Sequence, residues 1–340
     1  MPAAEPFAWF GGRLATGLAE VTDDLAALDT QGWWAVQLTF EGKAVCARFQ
    51  DVRAAPVPTG GTWPGVPAEA WSSSISREQY VGGVARIRAG IAAGDYYQVN
   101  LCRVLSAPLP DGAQLSDLAA ALARGNPAPY AGALRLPAYH VDIACASPEL
   151  FLRRAGSVVE SGPIKGTARI AAGLSAKDRA ENVMIVDLVR NDLGAVAVTG
   201  SVTVPALNAV EQHPGLVHLV STVRAELRPD AGWPELLAAA FPPGSVTGAP
   251  KSSALTAIRE LEPVPRGPYC GAIGWVDADR RCATLAVGIR TFWAQDGRLH
   301  LGTGAGITWG SDPGAEWAET ELKASRLRAV AAGQEARTGG

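Results

Sequence analysis

Charge is scarce in this chain: 19% of its 340 residues are Asp, Glu, Lys or Arg, and the formal balance is −3. No long basic run stands out, which excludes an extended nucleic-acid surface or a broad face for acidic membranes. The few arginine pairs, such as Arg153-Arg154, read as solvated surface. There is no stretch of about 18 uncharged apolar residues to span a bilayer. The opening residues, MPAAEPFAWFGG, lack a charged leader followed by an apolar run, so no signal peptide is expected and the chain reads as cytoplasmic. Cysteine is also sparse. Cys46, Cys102, Cys145, Cys270 and Cys282 are odd in number and show no C-x-x-C spacing, which argues against a disulfide framework and a zinc site. They read as small apolar core residues. No repeat of solenoid period is present.

What the chain does have is apolar residues, at 48%, enough to bury a large core in one big domain or two. A Pro- and Gly-rich stretch at 57–67 separates a short β-containing region, 1–67, from a main body, 68–332, and a tail at 333–340 is expected to be disordered. Strands are expected over 33–40 and 44–49. Ser76 with Gln79 forms a capping box opening a helix that stops at Gly94. A strand over 97–105, a helix over 115–123 and strands over 138–144 and 150–153 follow. A helix over 178–193 is expected to end at Gly194. The apolar stretch 284–292 reads as one strand, 302–306 as a glycine loop, and 313–331 as a helix opened by Pro313. The mixture is α+β and not a simple βαβ alternation.

Several residues stand out chemically. Glu316, Glu319 and Lys323 share one face of the last helix. Alone they would be a solvated face with one weak pair. Beside a glycine loop with free N–H groups, the acids suit Mg²⁺ and an anionic ligand. Glu181 points along the apolar face of Ile185 and Leu188, where helix-dipole stabilisation and a metal partner are equal alternatives. Lys165, in the loop Gly-Pro-Ile-Lys-Gly-Thr, is an exposed lysine or, if buried, a neutral nucleophile. Arg290, inside the strand VGIRTFW, needs an anion, which is either a structural acid or a ligand carboxylate. Glu149 follows Ser147-Pro148 at a strand edge. His218 sits among apolar residues, as a core histidine does.

Taken in order, PIKGT at 163–167, DLVRNDL at 187–193, HLVS at 218–221 and GSVTGAPK at 244–251 are followed by CGAIGW at 270–275. IRT at 289–291, GAGI at 304–307 and ExxETxxK from Glu316 complete the set. Over about 76–330 the chain resembles the chorismate-binding enzyme family, and within it the members that form 4-amino-4-deoxychorismate. The resemblance implies an anthranilate-synthase-component-I-like fold of two large packed β-sheets flanked by helices, with a central active-site cleft. It implies Mg²⁺ on Glu181 and Glu319, with Glu316 as a third acid, and Lys323 neutralising charge beside the metal. It implies that Arg290 and the backbone of Gly304, Ala305 and Gly306 hold the enolpyruvyl carboxylate of chorismate. Glu149 corresponds to the acid that protonates the departing 4-hydroxyl. His218, Ser245, Thr247 and Gly248 correspond to the pocket wall. Trp275 stands where tyrosine is usual and would offer an indole N–H to substrate.

Two positions sort the family. Water-adding members carry lysine where this chain has Gln98, and a neutral amide cannot activate water. Anthranilate-forming members have alanine within PIxGT, where Lys165 stands here. The lysine implies attack by its amine at C2, followed by ammonia at C4. No cysteine sits in a glutaminase motif, so ammonia is expected from a glutamine amidotransferase subunit or from solution. The product keeps its enolpyruvyl group, so 4-aminobenzoate synthesis would need a separate lyase. Pro129-Tyr130-Ala131 echoes one wall of a tryptophan pocket found in some relatives, but with so short an N-terminal region bound tryptophan is not expected. The alternatives are an anthranilate synthase component I and a non-catalytic chorismate- or partner-binding protein.

Overall fold

The computed structural model describes residues 5–168, 170–213 and 216–334, so most of the expected tail lies outside the described residues. Among them are six α-helices: α1 (Arg77–Ala93), α2 (Leu115–Gly125), α3 (Ala176–Gly194), α4 (Trp233–Ala240), α5 (Lys251–Leu261) and α6 (Pro313–Ala331). Their ends follow local chemistry. Ser76 and Gln79 close a reciprocal capping box on α1, and Gly94 ends it at φ 85°. Asp312 accepts from the N–H of Ala315, and Pro313 occupies the first turn of α6. Leu115, Leu118, Ala119 and Leu122 of α2 recur at helical spacing and all are buried.

The strands form one antiparallel network. From the edge strand Thr203–His213, hydrogen-bonded neighbours run through Leu216–Glu226, Val158–Gly162, Leu150–Ala155, Cys282–Val287 and Ala272–Asp277. The path continues through Trp33–Leu38, Ala44–Ala54 and Arg13–Thr22. The short strand Phe7–Phe10 then carries it across to Tyr130–Leu136, Val141–Ser147, Thr291–Gln295, Arg298–Ile307 and Gln98–Pro108. The two halves of this path face each other. Val36, Phe151, Ile273 and Leu285 of the first share one buried cluster with Cys102, Leu134, Ile143 and Cys145 of the second. The expected pair of packed sheets is therefore one ladder folded over, and the four strands between residues 7 and 54 belong to it. Ile185, Val189 and Leu193 of α3 and Leu236 and Leu237 of α4 join the same cluster. Helices α2 and α6 pack over Phe292, Leu299 and Leu301, and α1 and α5 over Val99, Leu101 and Ile307.

Several local expectations change. The glycine run is not a loop: residues 302–306 continue the strand Arg298–Ile307, in register with Gln98–Pro108. Its N–H groups therefore belong to a strand. The strand expected over 284–292 divides into Cys282–Val287 and Thr291–Gln295, with Arg290 between them at φ 51°. Residues 137–139 form a tight turn, so the strand expected from 138 begins at Val141. Gly194 is the last helical residue and the cap is Ala195 in the right-handed region, so no left-handed glycine stops α3. Arg154 is buried, paired with Asp29 at 3.1 Å, because strand alternation turns it inward while Arg153 faces solvent. Cys46, Cys102, Cys145 and Cys270 are buried thiols as expected, and Cys282 is half-buried.

Candidate active site

Lys165 is held by a bulge. It lies in the strand Ile164–Ala168, opposite Leu219, and the register slips between Lys165 and Thr167. Gly166 makes the slip possible at φ 75°, and a Cβ there would meet Asp178 Cβ at 2.8 Å. The bulge directs the amine to the carbonyl of Ser245, to which it donates at 3.0 Å. Burial lowers its pKa below the usual lysine value, against the opposing charges of Glu149 and Glu181.

Glu149 sits at the head of the strand Leu150–Ala155 and is 4% exposed. Burial raises its carboxyl pKa, against a hydrogen bond with the Ser245 side chain and the charge of Lys165. Ser245 thus touches both groups, through its carbonyl and its hydroxyl. The two shifts run in complementary directions: burial moves the amine towards its neutral form and the acid towards its protonated form. A cavity of about 20 Å³, close to the room one water needs, adjoins Glu149, Ser161, Asp192 and Ser245.

Across from Lys165 lies the glycine strand. Ala305 turns its methyl into the cluster beneath α1 and α5. Alternation therefore presents Gly304 and Gly306 to the opposite face. A Cβ on Gly306 would meet Gln98 Nε2 at 2.4 Å and Lys165 Nζ at 3.8 Å, so amide and amine flank this glycine. Gln98 is fully buried, and neither of its amide atoms has a hydrogen-bond partner among the described residues. An unsatisfied buried amide beside this amine leaves polar capacity that a ligand or water would satisfy. Arg290 is similar. It is half-buried, its pKa is lowered by burial, and no described acid pairs with it. The structural ion pair that sequence reasoning kept open is therefore not made.

The acids come from two helices. Lys177 of α3 lies 3.7 Å from Glu181 and 3.8 Å from Glu316, while Lys323 pairs with Glu319 at 2.7 Å and donates to the Gly304 carbonyl at 3.1 Å. Burial raises the pKa of both Glu181 and Glu316. Among the described residues no three such groups already stand at metal-ligand spacing. The donor chemistry nevertheless fits a hard cation: these are carboxylate oxygens, two of them costly to leave charged and sharing one ammonium.

The family model described as chorismate binding enzyme matches residues 37–329. The chain belongs to the chorismate-binding enzyme family. It is 40% identical over 269 residues to aminodeoxychorismate synthase component 1 of Escherichia coli (strain K12), a match covering 76% of this chain and 58% of that one. It is 41% identical over 271 residues to anthranilate synthase component 1 of Streptomyces coelicolor, covering 76% and 52%. The chain thus spans little more than half the length of these relatives. In fold it is similar to the menaquinone-specific isochorismate synthase of Escherichia coli, with a TM-score of 0.83 at 18% identity, covering 97% of this chain and 89% of that one. It is also similar to anthranilate synthase component I of Streptococcus pneumoniae, with a TM-score of 0.78 at 22% identity, covering 96% and 93%.

For this family member the structure gathers Lys165, Glu149, Ser245, Gln98, Gly304 and Gly306 into one place, with Glu181, Glu319 and Lys323 close enough to act on the Lys165 charge. His218 is buried on the strand opposite Thr167. Thr247 is buried, and its hydroxyl donates to the Pro243 carbonyl at 2.7 Å. Gly248 is needed because a Cβ would lie 2.2 Å from the Gln98 carbonyl. Trp275 is not brought to this place. Its ring stacks on Trp33 at 6.3 Å, a diagonal neighbour in the ladder, with the Arg13 guanidinium 5.2 Å from its centre. Trp275 and 129–131 line a separate cavity of about 230 Å³. Two residues escaped the sequence reading. Tyr269 is buried with its ring against Gly302, where a Cβ would fall 2.0 Å from it. Lys177 was signalled by its i,i+4 spacing to Glu181. Among the described residues no helix is long and apolar enough to cross a membrane.

Proposed function

We propose that this chain aminates chorismate to 4-amino-4-deoxychorismate, a precursor of 4-aminobenzoate, using ammonia supplied by a glutamine amidotransferase subunit. The observation that carries this reading is the desolvated Lys165 amine sharing Ser245 with the buried acid Glu149. The neutral amine adds at C2 of the ring, both ring double bonds shift by one position, and the C4–O bond breaks. Glu149 delivers its proton to that oxygen, so water leaves. Ammonia then adds at C4 and the C2–N bond breaks, returning the lysine. Arg290 and the glycine strand bind the enolpyruvyl carboxylate, and Gln98 leaves no base positioned to favour water as nucleophile. Mg²⁺, held by Glu181, Glu316 and Glu319, would neutralise the ring carboxylate.

Incubation with chorismate and Mg²⁺ without ammonia is expected to give a protein heavier by chorismate less one water. The label should map to the peptide containing Lys165, and Lys165→Ala should lose it with most turnover. With ammonium salts the isolated chain should turn over, and with glutamine alone it should not. A label on another residue, or an alanine variant of undiminished rate, overturns covalent catalysis by Lys165. Anthranilate formation is the second reading, because an anthranilate synthase relative matches this chain at the same identity. Lys165 speaks against it, and separation of the products decides.

A further inference from the structure

The carboxylates expected to bind metal are not equally held. Glu319 is fixed by Lys323, which also grips the Gly304 carbonyl. Glu181 and Glu316 have, among the described residues, one cation within ion-pair distance, and both share it: Lys177. Its ammonium stands 3.7 and 3.8 Å from their oxygens, beyond hydrogen-bond reach. The Lys177 side chain is 53% exposed, so it has open solvent to retreat into, whereas the Glu316 side chain is only 6% exposed. Glu181 is one helical turn along α3 and Glu316 is in the first turn of α6, so the lysine bridges two elements.

We infer that Lys177 is a built-in counter-cation that occupies the place between Glu181 and Glu316 until a divalent ion displaces it. The inference rests on the metal reading above. Without a cation, two poorly hydrated carboxylates on separate helices would repel each other and favour taking up protons. Lys177 relieves both at once, loosely. A divalent ion bonded to the same oxygens would sit about 2.1 Å from them, and an ammonium could not remain in that space. Metal must therefore break two weak ion pairs on entry, which lowers its affinity in the absence of substrate. Displacement leaves Lys177 tethered one turn from Glu181 and able to return when metal departs.

The test uses Mn²⁺ as a spectroscopic substitute for Mg²⁺, titrated into the substrate-free protein and followed by the resonance of the free ion. Lys177→Gln is expected to bind it about fivefold more tightly than the native chain, the scale of two surface-like ion pairs. Lys177→Arg, which keeps the charge, should stay within about twofold of native. In metal-free buffer Lys177→Gln should melt below the native protein, and it should gain more on adding Mn²⁺. Glu181→Gln should lose Mn²⁺ binding in either background. Native or weaker affinity in Lys177→Gln, while Glu181→Gln still abolishes binding, overturns the counter-cation and leaves the metal reading standing. Mn²⁺ binding that ignores Glu181→Gln, or no binding by any of these proteins, overturns the metal reading and the counter-cation with it.

Discussion

Gly306→Ala separates the site from the fold that carries it. The added Cβ would stand 2.4 Å from Gln98 Nε2, against an ordinary contact of about 3.5 Å, so the amide must withdraw by about 1 Å. Nothing in the backbone forbids the substitution, because Gly306 is not among the positive-φ glycines and no backbone atom is among the close neighbours of its Cβ. The conflict is confined to the end of one side chain, and that end faces Lys165. A misplacement of about 1 Å at a reacting centre costs on the order of 10²-fold in rate, equivalent to about 2.7 kcal/mol. The expected result is a protein that melts within a few degrees of native and consumes chorismate about 10²-fold more slowly. Assays with chorismate, Mg²⁺ and an ammonium salt, with a thermal melt alongside, measure both. Gly304→Ala and Gly248→Ala are the contrasts. Their Cβ atoms would meet the Leu101 carbonyl at 2.7 Å and the Gln98 carbonyl at 2.2 Å, backbone atoms that cannot swing aside. Both should lose stability outright. Native kcat/KM in Gly306→Ala, or a melting loss as large as that of Gly304→Ala, refutes the reasoning.

Arg290→Ala removes a guanidinium that no described acid shares, so the fold should be spared while KM for chorismate rises about 10- to 100-fold, the worth of a charge-assisted contact. A large fall in melting temperature with unchanged KM would show the arginine to be structural. The rate should pass through a maximum with pH, bounded by Lys165, held below the usual lysine value of 10.5, and Glu149, held above 4.5. The sign follows from the roles: deprotonated lysine and protonated acid are the active forms. Glu149→Gln should abolish the falling limb along with most activity, and a limb unmoved by that change would belong to another group. Gln98→Lys should yield detectable water addition to chorismate, read by product separation. An unchanged product pattern in a folded variant shows that Gln98 does not select the nucleophile alone.

What could be read from the chain was what depends on neighbours in sequence. The capping box at Ser76, the helix start at Pro313 and the helix signals of α2 are local devices, and they appear in the fold as expected. Lys165 and Glu149 were visible through their motifs, and the structure joins them through Ser245, about 80 residues along the chain from Lys165. Errors arose where a distant partner decides. The glycine run looked like a loop because its partner strand, Gln98–Pro108, lies about 200 residues earlier. Arg290 looked like a strand residue because apolar β-branched neighbours hide a left-handed break. Trp275 was placed with substrate because its stacking partner, Trp33, is about 240 residues away in sequence. Lys177 was legible in principle, one turn before Glu181, but Glu316 comes to it only through the packing of α3 and α6.

The folded-over ladder sets the order in which this protein can be made. Trp33–Leu38 is buried along its whole length in the finished molecule, yet its second partner, Ala272–Asp277, is synthesised about 230 residues after it. Until then its hairpin with Ala44–Ala54 carries an open apolar edge, two tryptophans included. Phe7–Phe10 likewise waits for Tyr130–Leu136. Final closure of the ladder must therefore await its later strands, and contacts of such sequence separation form slowly. The nascent protein passes through a long interval in which its stickiest strand is unprotected, so its yield in cells should depend on chaperone capacity and temperature far more than the stability of the folded protein would suggest.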